Sequence, residues 1–488
     1  MSIWYRASAL PQHPPLSGDV QADAVIIGGG LTGLLTARLL QDQGVEPLVL
    51  EAGRIAGGQT GRTTAKITSQ HGLIYTRLLR QMGRETASQY ARANEEAVAA
   101  YERLITQRGI PCDFVRRTAF LYSREESAPL QMEADAARSL GIDASFRRET
   151  ELPFPIAGAV AFAGQAQFHP LRFLQGIVPG LKVCENTRVL RVGENRVETA
   201  AGTVTARHII FACHYPFVNL PGLYFMRMHQ ERSYVLALES PWLPREGMYL
   251  GVDGDGLSLR EAEGLLLLGG GAHRTGENRE GGRYAWLRDQ AAALLPGSRE
   301  AGCWSAQDCI TADGLPCIGQ YARNRPDWYV ATGFGKWGMT SAMISARVLT
   351  GMICGDPPAW AEVFSPQRFH PSASAKGLAD EAGHALRGLS REVFSPPRAA
   401  LEALPPGHGG IVEAEGRKVG AYRAEDGTVH LIDPRCPHLG CQLEWNPDER
   451  TWDCPCHGSR FSYDGQLLDG PAQTDKQKEE LHGGSSPG

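Results

Sequence analysis

At 488 residues the chain is long enough for two or three domains, each with a core of its own. Lys and Arg total 49 against 54 Asp and Glu, a net charge of −5 without long single-sign runs, which argues against a nucleic-acid or anionic-membrane partner. The longest apolar stretches, such as Leu265 to Leu268, fall far short of the roughly 18–20 residues of a membrane span, and the opening MSIWYRASALPQHPPLSGDV has neither a basic head with an apolar core nor twin arginines, so the expectation is a cytoplasmic protein with no transmembrane segment.

After that polar, Pro-rich lead-in, DAVIIGG reads as a strand, LTGLLTARLLQDQG as a helix and VEPLVLE as a second strand ending in an acid. Gly28, Gly30 and Gly33 form G-x-G-x-x-G at the first turn, and Glu51 lies 18 residues beyond the last of them. In that setting the first glycine permits a tight turn, the second admits a pyrophosphate and the third lets helix and strand pack; the helix N-terminus stabilises phosphate charge and Glu51 accepts from a ribose hydroxyl. A Gly/Thr-rich loop, GGQTGRTTAKIT, follows. Residues 72–150 carry helical spacing, 182–212 short strands, and 226–268 runs separated by Pro and Gly turns that suggest an antiparallel sheet. A second glycine cluster, LLLLGGGAHRTG, has Arg274 where a third glycine would stand and reads as strand and turn. WYVATGFGKWGMTSAMISARVLTGMI returns to strand, Gly turn and helix, so the nucleotide layer is assembled from separated pieces. Between 365 and 405 the chain is polar and Pro/Ala-rich, with a helix expected over ASAKGLADEAGHALRGL, and beyond it short alternating runs imply a small all-β domain.

Cysteine usage is uneven: of 11, four fall between 436 and 456. CPHLGC, 12 residues and CPCHGS offer one Cys-x-His pair, Cys436 and His438, and one Cys-x-x-His pair, Cys454 and His457. Zinc accepts such a set, but one Cys and one His per loop suits two irons, one held by thiolates and the other by imidazoles.

The residues around these ligands, including Gly440, CPCHGS and DGQLLDGPA, closely resemble the Rieske family over about 395 to 475. The resemblance implies a [2Fe–2S] cluster on Cys436, His438, Cys454 and His457. It also implies a disulfide between Cys441 and Cys456, the alternative being two reduced thiols. Ser459 matches the family serine that donates to a bridging sulfide; Phe461 stands where high-potential members have tyrosine, so the expected midpoint lies below theirs.

The remainder, about 25 to 360, resembles the D-amino-acid oxidase, glycine oxidase and sarcosine oxidase superfamily through the Gly-rich turn, GGQTGRTTAKIT, QFHPLRFLQGI, TRVLRV, TADGLPCIG and ATGFGKWGMTS, and most of all a small subgroup of bacterial FAD proteins with a C-terminal Rieske domain. The implied cofactor is FAD. The implied contacts are Thr60, Gly61, Arg62, Thr63 and Thr64 along the cofactor, Val189 at adenine, and Gly333, Gly335, Gly338, Met339 and Thr340 at the flavin's N1 and C2=O edge. Lys66, His71 and Lys336 are the catalytic candidates, each with a plain structural alternative. Arg227 and Arg232 are the candidate cations for a substrate carboxylate, with Tyr234, Tyr249 and His273 in the same region; Cys303 is the weak candidate for covalent flavin attachment.

The expected fold is therefore α/β plus β, a Rossmann-like FAD-binding domain with an inserted α+β substrate domain of D-amino-acid oxidase type, then a small all-β Rieske domain. The expected boundaries are 20–365 for the oxidoreductase (nucleotide pieces 20–75, 165–215 and 300–360; substrate domain 76–164 and 216–299), a 366–394 connector, 395–475 for the Rieske domain and a flexible tail over 476–488. The expected activity is oxidation of an amine or amino acid, with electrons relayed from FADH2 through the cluster to an external redox acceptor. The alternative is an electron-transfer or redox-sensing module with no metabolite of its own. A Rieske oxygenase needs a mononuclear iron on two His and a carboxylate, and no such group of residues stands outside the Rieske loops.

Overall fold

A computed structural model describes residues 2–6, 8, 10–254, 256–394, 400–476 and 478. Its contacts divide the chain into two units: Met1–Gly222, Ser233–Ala272 and Tyr284–Ala375 form the first, and Leu223–Arg232, His273–Arg283 and Lys376–Gly488 the second.

The first unit contains an eight-stranded sheet whose central path runs Cys317–Ala322, Arg325–Thr332, Gly202–Phe211, Val20–Ile27, Pro47–Leu50 and Lys182–Cys184. Val20–Ile27 pairs in parallel with both Gly202–Phe211 and Pro47–Leu50. Ala24 to Ile27 and Pro47 to Leu50 are buried in unbroken runs, as a parallel strand covered on both faces requires. The helix Leu31–Asp42 follows the first strand and packs against Gly338–Cys354, the helix that follows Arg325–Thr332. Two strand-to-helix turns therefore lie together although more than 300 residues separate them in sequence.

A nine-stranded mixed sheet takes the order Arg299–Thr311, Met228–Glu239, Leu265–Arg274, Ser258–Ala262, Gly247–Gly251, Val115–Ser123, Gly158–Gln167, Lys66–Ile67, with Ala144–Arg147 pairing beside Gly158–Gln167. The antiparallel pairing expected over 226–268 is present from Gly247–Gly251 to Leu265–Arg274, and LLLLGGGAHR is a strand. Two assignments change. Lys66–Ile67 and Arg299–Thr311, placed by sequence in nucleotide-layer pieces, pair in this sheet; the second ends in alternating buried and half-buried residues, the pattern of a strand covered on one face. The lead-in is also not a loose end. Ile3 and Trp4 are buried, Ser2 donates to the Gly61 carbonyl, and Tyr5 Oη donates to Ala56 O at 2.9 Å.

The expected connector helix extends over Pro371–Phe394, and from Lys376 onward it belongs to the second unit. Gly409–Ala414, Arg417–Arg423 and Val429–Ile432 form an antiparallel meander, its first turn made by Glu415 and Gly416, both at positive φ as a two-residue hairpin turn requires. Four short strands, Glu444–Asn446, Thr451–Asp453, Arg460–Ser462 and Leu467–Asp469, make a second sheet. Trp445 and Trp452, edge-on at 5.0 Å, pack with Tyr422, Phe461 and four cysteines into one apolar cluster. Nearly all of the tail expected over 476–488 lies outside the described residues.

Candidate flavin and iron–sulfur sites

The turn after the first strand is a cradle that side chains would fill. Gly28 has φ +115°, and a Cβ there would lie 2.5 Å from Ala212 O; on Gly33 it would lie 2.0 Å from Gly28 O, so the helix rests directly on the turn. On Gly30 the nearest atom would be Thr60 Oγ1 at 3.3 Å, which leaves the approach to the helix N-terminus open on the backbone side. Glu51 accepts from Gly29 N–H at 2.7 Å and Gly53 N–H at 2.8 Å; burial pushes its carboxyl up while these donors favour its charge. Thr187 N–H donates to Glu51 O at 2.8 Å, which brings the segment of Val189, a buried strand start, to the same strand end. These residues fit a dinucleotide: the open N-terminus of Leu31–Asp42 would hold its pyrophosphate and Glu51 would accept from a ribose hydroxyl.

The Gly/Thr-rich loop is held by its carbonyls. Arg62 O accepts from Trp304 Nε1 at 2.9 Å, Thr63 O from Trp4 Nε1 at 2.7 Å, and Thr64 O and Ala65 O both accept from Arg260, the latter at 2.7 Å. Thr60 Oγ1 accepts from Leu31 N–H at 2.9 Å, and a Cβ on Gly61 would lie 1.8 Å from Tyr5 Oη, so the N-terminal segment demands glycine there. Lys66 Nζ donates to Tyr249 O and Ser258 Oγ, both at 2.7 Å; burial, reinforced by Arg260, pulls its pKa down to about 7.

The second turn converges on that loop. Gly333, Gly335 and Lys336 all have positive φ, and a Cβ on Gly333 would lie 2.3 Å from Thr311 Cγ2. The helix beginning at Gly338 has no side-chain cap at Trp337, so that side chain does not take up its first N–H groups, while Lys336 is exposed on the turn. Met339 and Thr340 are buried in its first turn, and Met339 O accepts from Tyr101 Oη at 2.8 Å. His71 stacks on Trp337 at 4.4 Å, its Nδ1 is 2.6 Å from Tyr90 Oη and its Nε2 2.7 Å from Thr68 O. Burial pushes its pKa down to about 3, so His71 is neutral and both ring nitrogens are engaged.

Of the residues set against a substrate carboxylate, Arg232 and His273 lie within electrostatic reach of each other, and Arg232 is already paired with a carboxylate of this chain. Arg232 is wholly buried and its Nε lies 2.6 Å from Glu449 in the second unit, which also contains Arg227 and His273. Tyr249 is stacked on Phe120 at 4.8 Å and Tyr234 is edge-on to Tyr284 in the apolar cluster of the nine-stranded sheet. Cys303 packs at the edge of that cluster, and burial with Glu300 beside it pushes its thiol pKa up, against thiolate chemistry. Sequence reading missed Trp4, Arg260 and Tyr90; a tryptophan in a polar lead-in was the one signal of the three.

The cluster site has two matching loops. Gly440 N–H donates to Cys436 O and Gly458 N–H to Cys454 O, each at 2.9 Å, and both glycines have positive φ. Each loop thereby turns its Cys and its His to one side, and the rings of His438 and His457 meet edge-on at 4.8 Å. Cys441 and Cys456 form the disulfide that joins the loops. The Cys441, Cys454 and Cys456 sulfurs lie within 4.8 Å of one another, but two of them share that bond, which leaves Cys454 and Cys436 as thiolate donors. A hydrogen bond from Cys454 is the main cause that pulls Cys436 down to about 7. Burial pulls His438 down to about 4 and His457 to about 3, so both imidazoles are neutral, and the buried His457 Nδ1 has no hydrogen-bond partner. Two thiols, two neutral imidazoles and an orphaned nitrogen fit a [2Fe–2S] cluster with mixed ligands. Behind them the buried Arg460 pairs with Asp453 at 3.0 Å, Asp469 at 2.9 Å and Glu449 at 3.1 Å.

Comparison with known proteins agrees with this division. A family model described as FAD dependent oxidoreductase matches residues 23–352, and one described as Rieske [2Fe-2S] domain matches 397–479. YhfW of Bacillus subtilis (strain 168), whose name describes a Rieske 2Fe-2S iron-sulfur protein, is 36% identical, with 96% of each chain covered. Glycine oxidase of Bacillus licheniformis is 25% identical over 71% of this chain and 97% of its own. The crystal structure of glycine oxidase from Geobacillus kaustophilus superposes with a TM-score of 0.61 at 18% identity, covering 72% of this chain and 99% of that one, a likeness of fold.

Proposed function

Because the chain belongs to the FAD dependent oxidoreductase family and carries a C-terminal Rieske [2Fe–2S] domain, we propose that it oxidises an amine or amino acid at the C–N bond in the cytoplasm and passes the electrons through the cluster to an external acceptor. FAD supplies a two-electron acceptor and the cluster a one-electron carrier. What supports the reading is that one chain carries both a glycine turn that side chains would fill, suited to a dinucleotide, and two Cys/His loops suited to a mixed-ligand cluster.

This chain's residues divide the remaining work. Lys66 is the proton-handling candidate: an amine brought to about 7 exchanges a proton near neutrality, and Tyr249 O and Ser258 Oγ hold two of its donors. His71 acts by position, since its stacking on Trp337 and its bonds to Tyr90 and Thr68 fix the turn that presents the Gly338 helix terminus. Lys336, exposed on that turn, adds positive charge there. No helix among the described residues is long and apolar enough to cross a membrane.

The burial of Arg232 against Glu449 removes one of the two cations set against a substrate carboxylate, which favours a second reading, an electron-transfer or redox-sensing module with no metabolite substrate. Anaerobic mixing with a panel of amines and amino acids separates the two. Flavin bleaching followed by loss of the oxidised-cluster spectrum is expected; a panel that bleaches nothing favours the module, and bleaching with a cluster that stays oxidised removes the relay.

A further inference from the structure

Two segments inside the span matched by the oxidoreductase family model, Leu223–Arg232 and His273–Arg283, belong to the cluster-bearing unit, where they hold the second ligand loop. Three successive loop carbonyls are taken: Pro455 O accepts from Arg274 Nε at 3.3 Å, Cys456 O from Arg274 Nη2 at 3.4 Å and His457 O from Gln230 Nε2 at 2.7 Å. Gln230 Nε2 also donates to Gly470 O at 2.9 Å, and Asn278 anchors the segment of Arg274 through Asn446 Oδ1 at 3.1 Å and Asp448 Oδ2 at 2.9 Å. The fit is close. On Gly276, at φ +83°, a Cβ would lie 2.5 Å from Pro455 N, and on Gly458, at φ +79°, 2.6 Å from Gln230 Cβ. The loop of Cys454 and His457 is thus seated on side chains that stand 181 and 227 positions before the carbonyls they bind.

One of these supports is a charge. The Arg274 side chain is 9% exposed and pairs on its other side with Glu381, 7% exposed, at 2.7 Å; Glu381 also binds His229 Nδ1. The ion pair is therefore oriented, with the guanidinium against the loop carbonyls and the carboxylate behind it. Both charges are felt at the ligand ring: besides burial, the main cause of its low pKa, His438 and Arg274 push His457 down while Glu381 pushes it up. Two thiolates and two neutral imidazoles leave an oxidised [2Fe–2S] site uncharged, and one added electron makes it an anion. A fixed cation sheltered from water stabilises that anion, and a fixed carboxylate does the reverse. We propose that Arg274 is a positioning and potential-setting residue for the cluster: it holds the carbonyls of the second ligand loop and its guanidinium raises the midpoint by favouring the reduced state, while Glu381 fixes the guanidinium and offsets part of that rise. Gln230 is a positioning residue without charge. Arg274 acts this way whatever supplies the electrons; the role requires only the four cluster ligands named above.

The test is a redox titration of the holoprotein followed by the cluster EPR signal, and it needs no substrate. Arg274→Gln keeps a donor, removes the charge and leaves Glu381 uncompensated. It is expected to lower the equilibrium constant for reduction about tenfold, a midpoint lower by about 59 mV for one electron, with an EPR spectrum of unchanged shape. Arg274→Lys is expected to recover most of that loss. Glu381→Gln, which leaves every donor to the loop in place, is expected to move the midpoint upward. Gln230→Ala is expected to lose the cluster faster to a chelator; retention equal to wild type removes Gln230 from the positioning pair. Where Arg274→Gln assembles no cluster, the sign of the Glu381→Gln shift decides by itself. An unmoved midpoint in Arg274→Gln with an intact EPR signal, an Arg274→Lys midpoint no higher than that of Arg274→Gln, or a Glu381→Gln midpoint at or below wild type overturns the potential-setting role and leaves Arg274 a plain anchor of the loop. A wild-type holoprotein without the anisotropic cluster signal removes the ligand assignment itself.

Discussion

The four residues proposed as iron–sulfur ligands come from one short stretch, Cys436 to His457, whose two loops repeat the same hydrogen bond from a positive-φ glycine to a cysteine carbonyl. The proposed flavin cradle instead joins Gly28 to Gly33, Glu51, the 60–66 loop, Val189 and the 333–340 turn, held in place by a parallel sheet, by Arg260 and by the buried Ile3 and Trp4. A site with local geometry survives errors elsewhere in the fold, whereas one assembled from distant pieces depends on every piece.

That contrast is open to attack at several points. The largest effect is expected for Gly33→Val: its Cβ would lie 2.0 Å from Gly28 O, so the helix must lift from the turn. Purified protein should lose its bound FAD while iron content and the cluster EPR signal persist; simultaneous loss of both would show that the sites are not independent. Next, Cys441→Ser with Cys456→Ser removes a link between residues 15 apart, worth about 3 kcal/mol in the chain-entropy account. Thermal loss of the cluster signal should move to lower temperature with the flavin transition in place.

A smaller effect belongs to His71. Its folded pKa, about 3, lies below the ordinary 6.5, so between those values the unfolded chain binds the extra proton; the stability it lends is full above pH 6.5 and is lost as pH falls through that window. Denaturation of His71→Gln at pH 5–6 should show a pH slope shallower than wild type by about 1.4 kcal/mol per unit. The smallest change is Phe461→Tyr. Phe461 is fully buried in the cluster of residues that contains Cys436 and Cys454, so a hydroxyl there adds a donor near sulfur and should raise the midpoint in an EPR redox titration. An unchanged or lower midpoint would contradict the tuning argument.

Much of this was legible in sequence. The Gly28, Gly30, Gly33 and Glu51 pattern and the Cys436, His438, Cys454 and His457 quartet act over a few residues, where spacing and backbone conformation are encoded directly, and the order of strands and helices followed from periodicity. Tertiary structure alone decided that Trp4 and Arg260 hold the Gly/Thr-rich loop, that Arg232 pairs with Glu449, that Lys66 and Arg299–Thr311 join the nine-stranded sheet, and that Gln230 and Arg274 grip the second cluster loop. These contacts join residues tens to hundreds of positions apart, and their strength comes from burial and close fit, which no local pattern along the chain records.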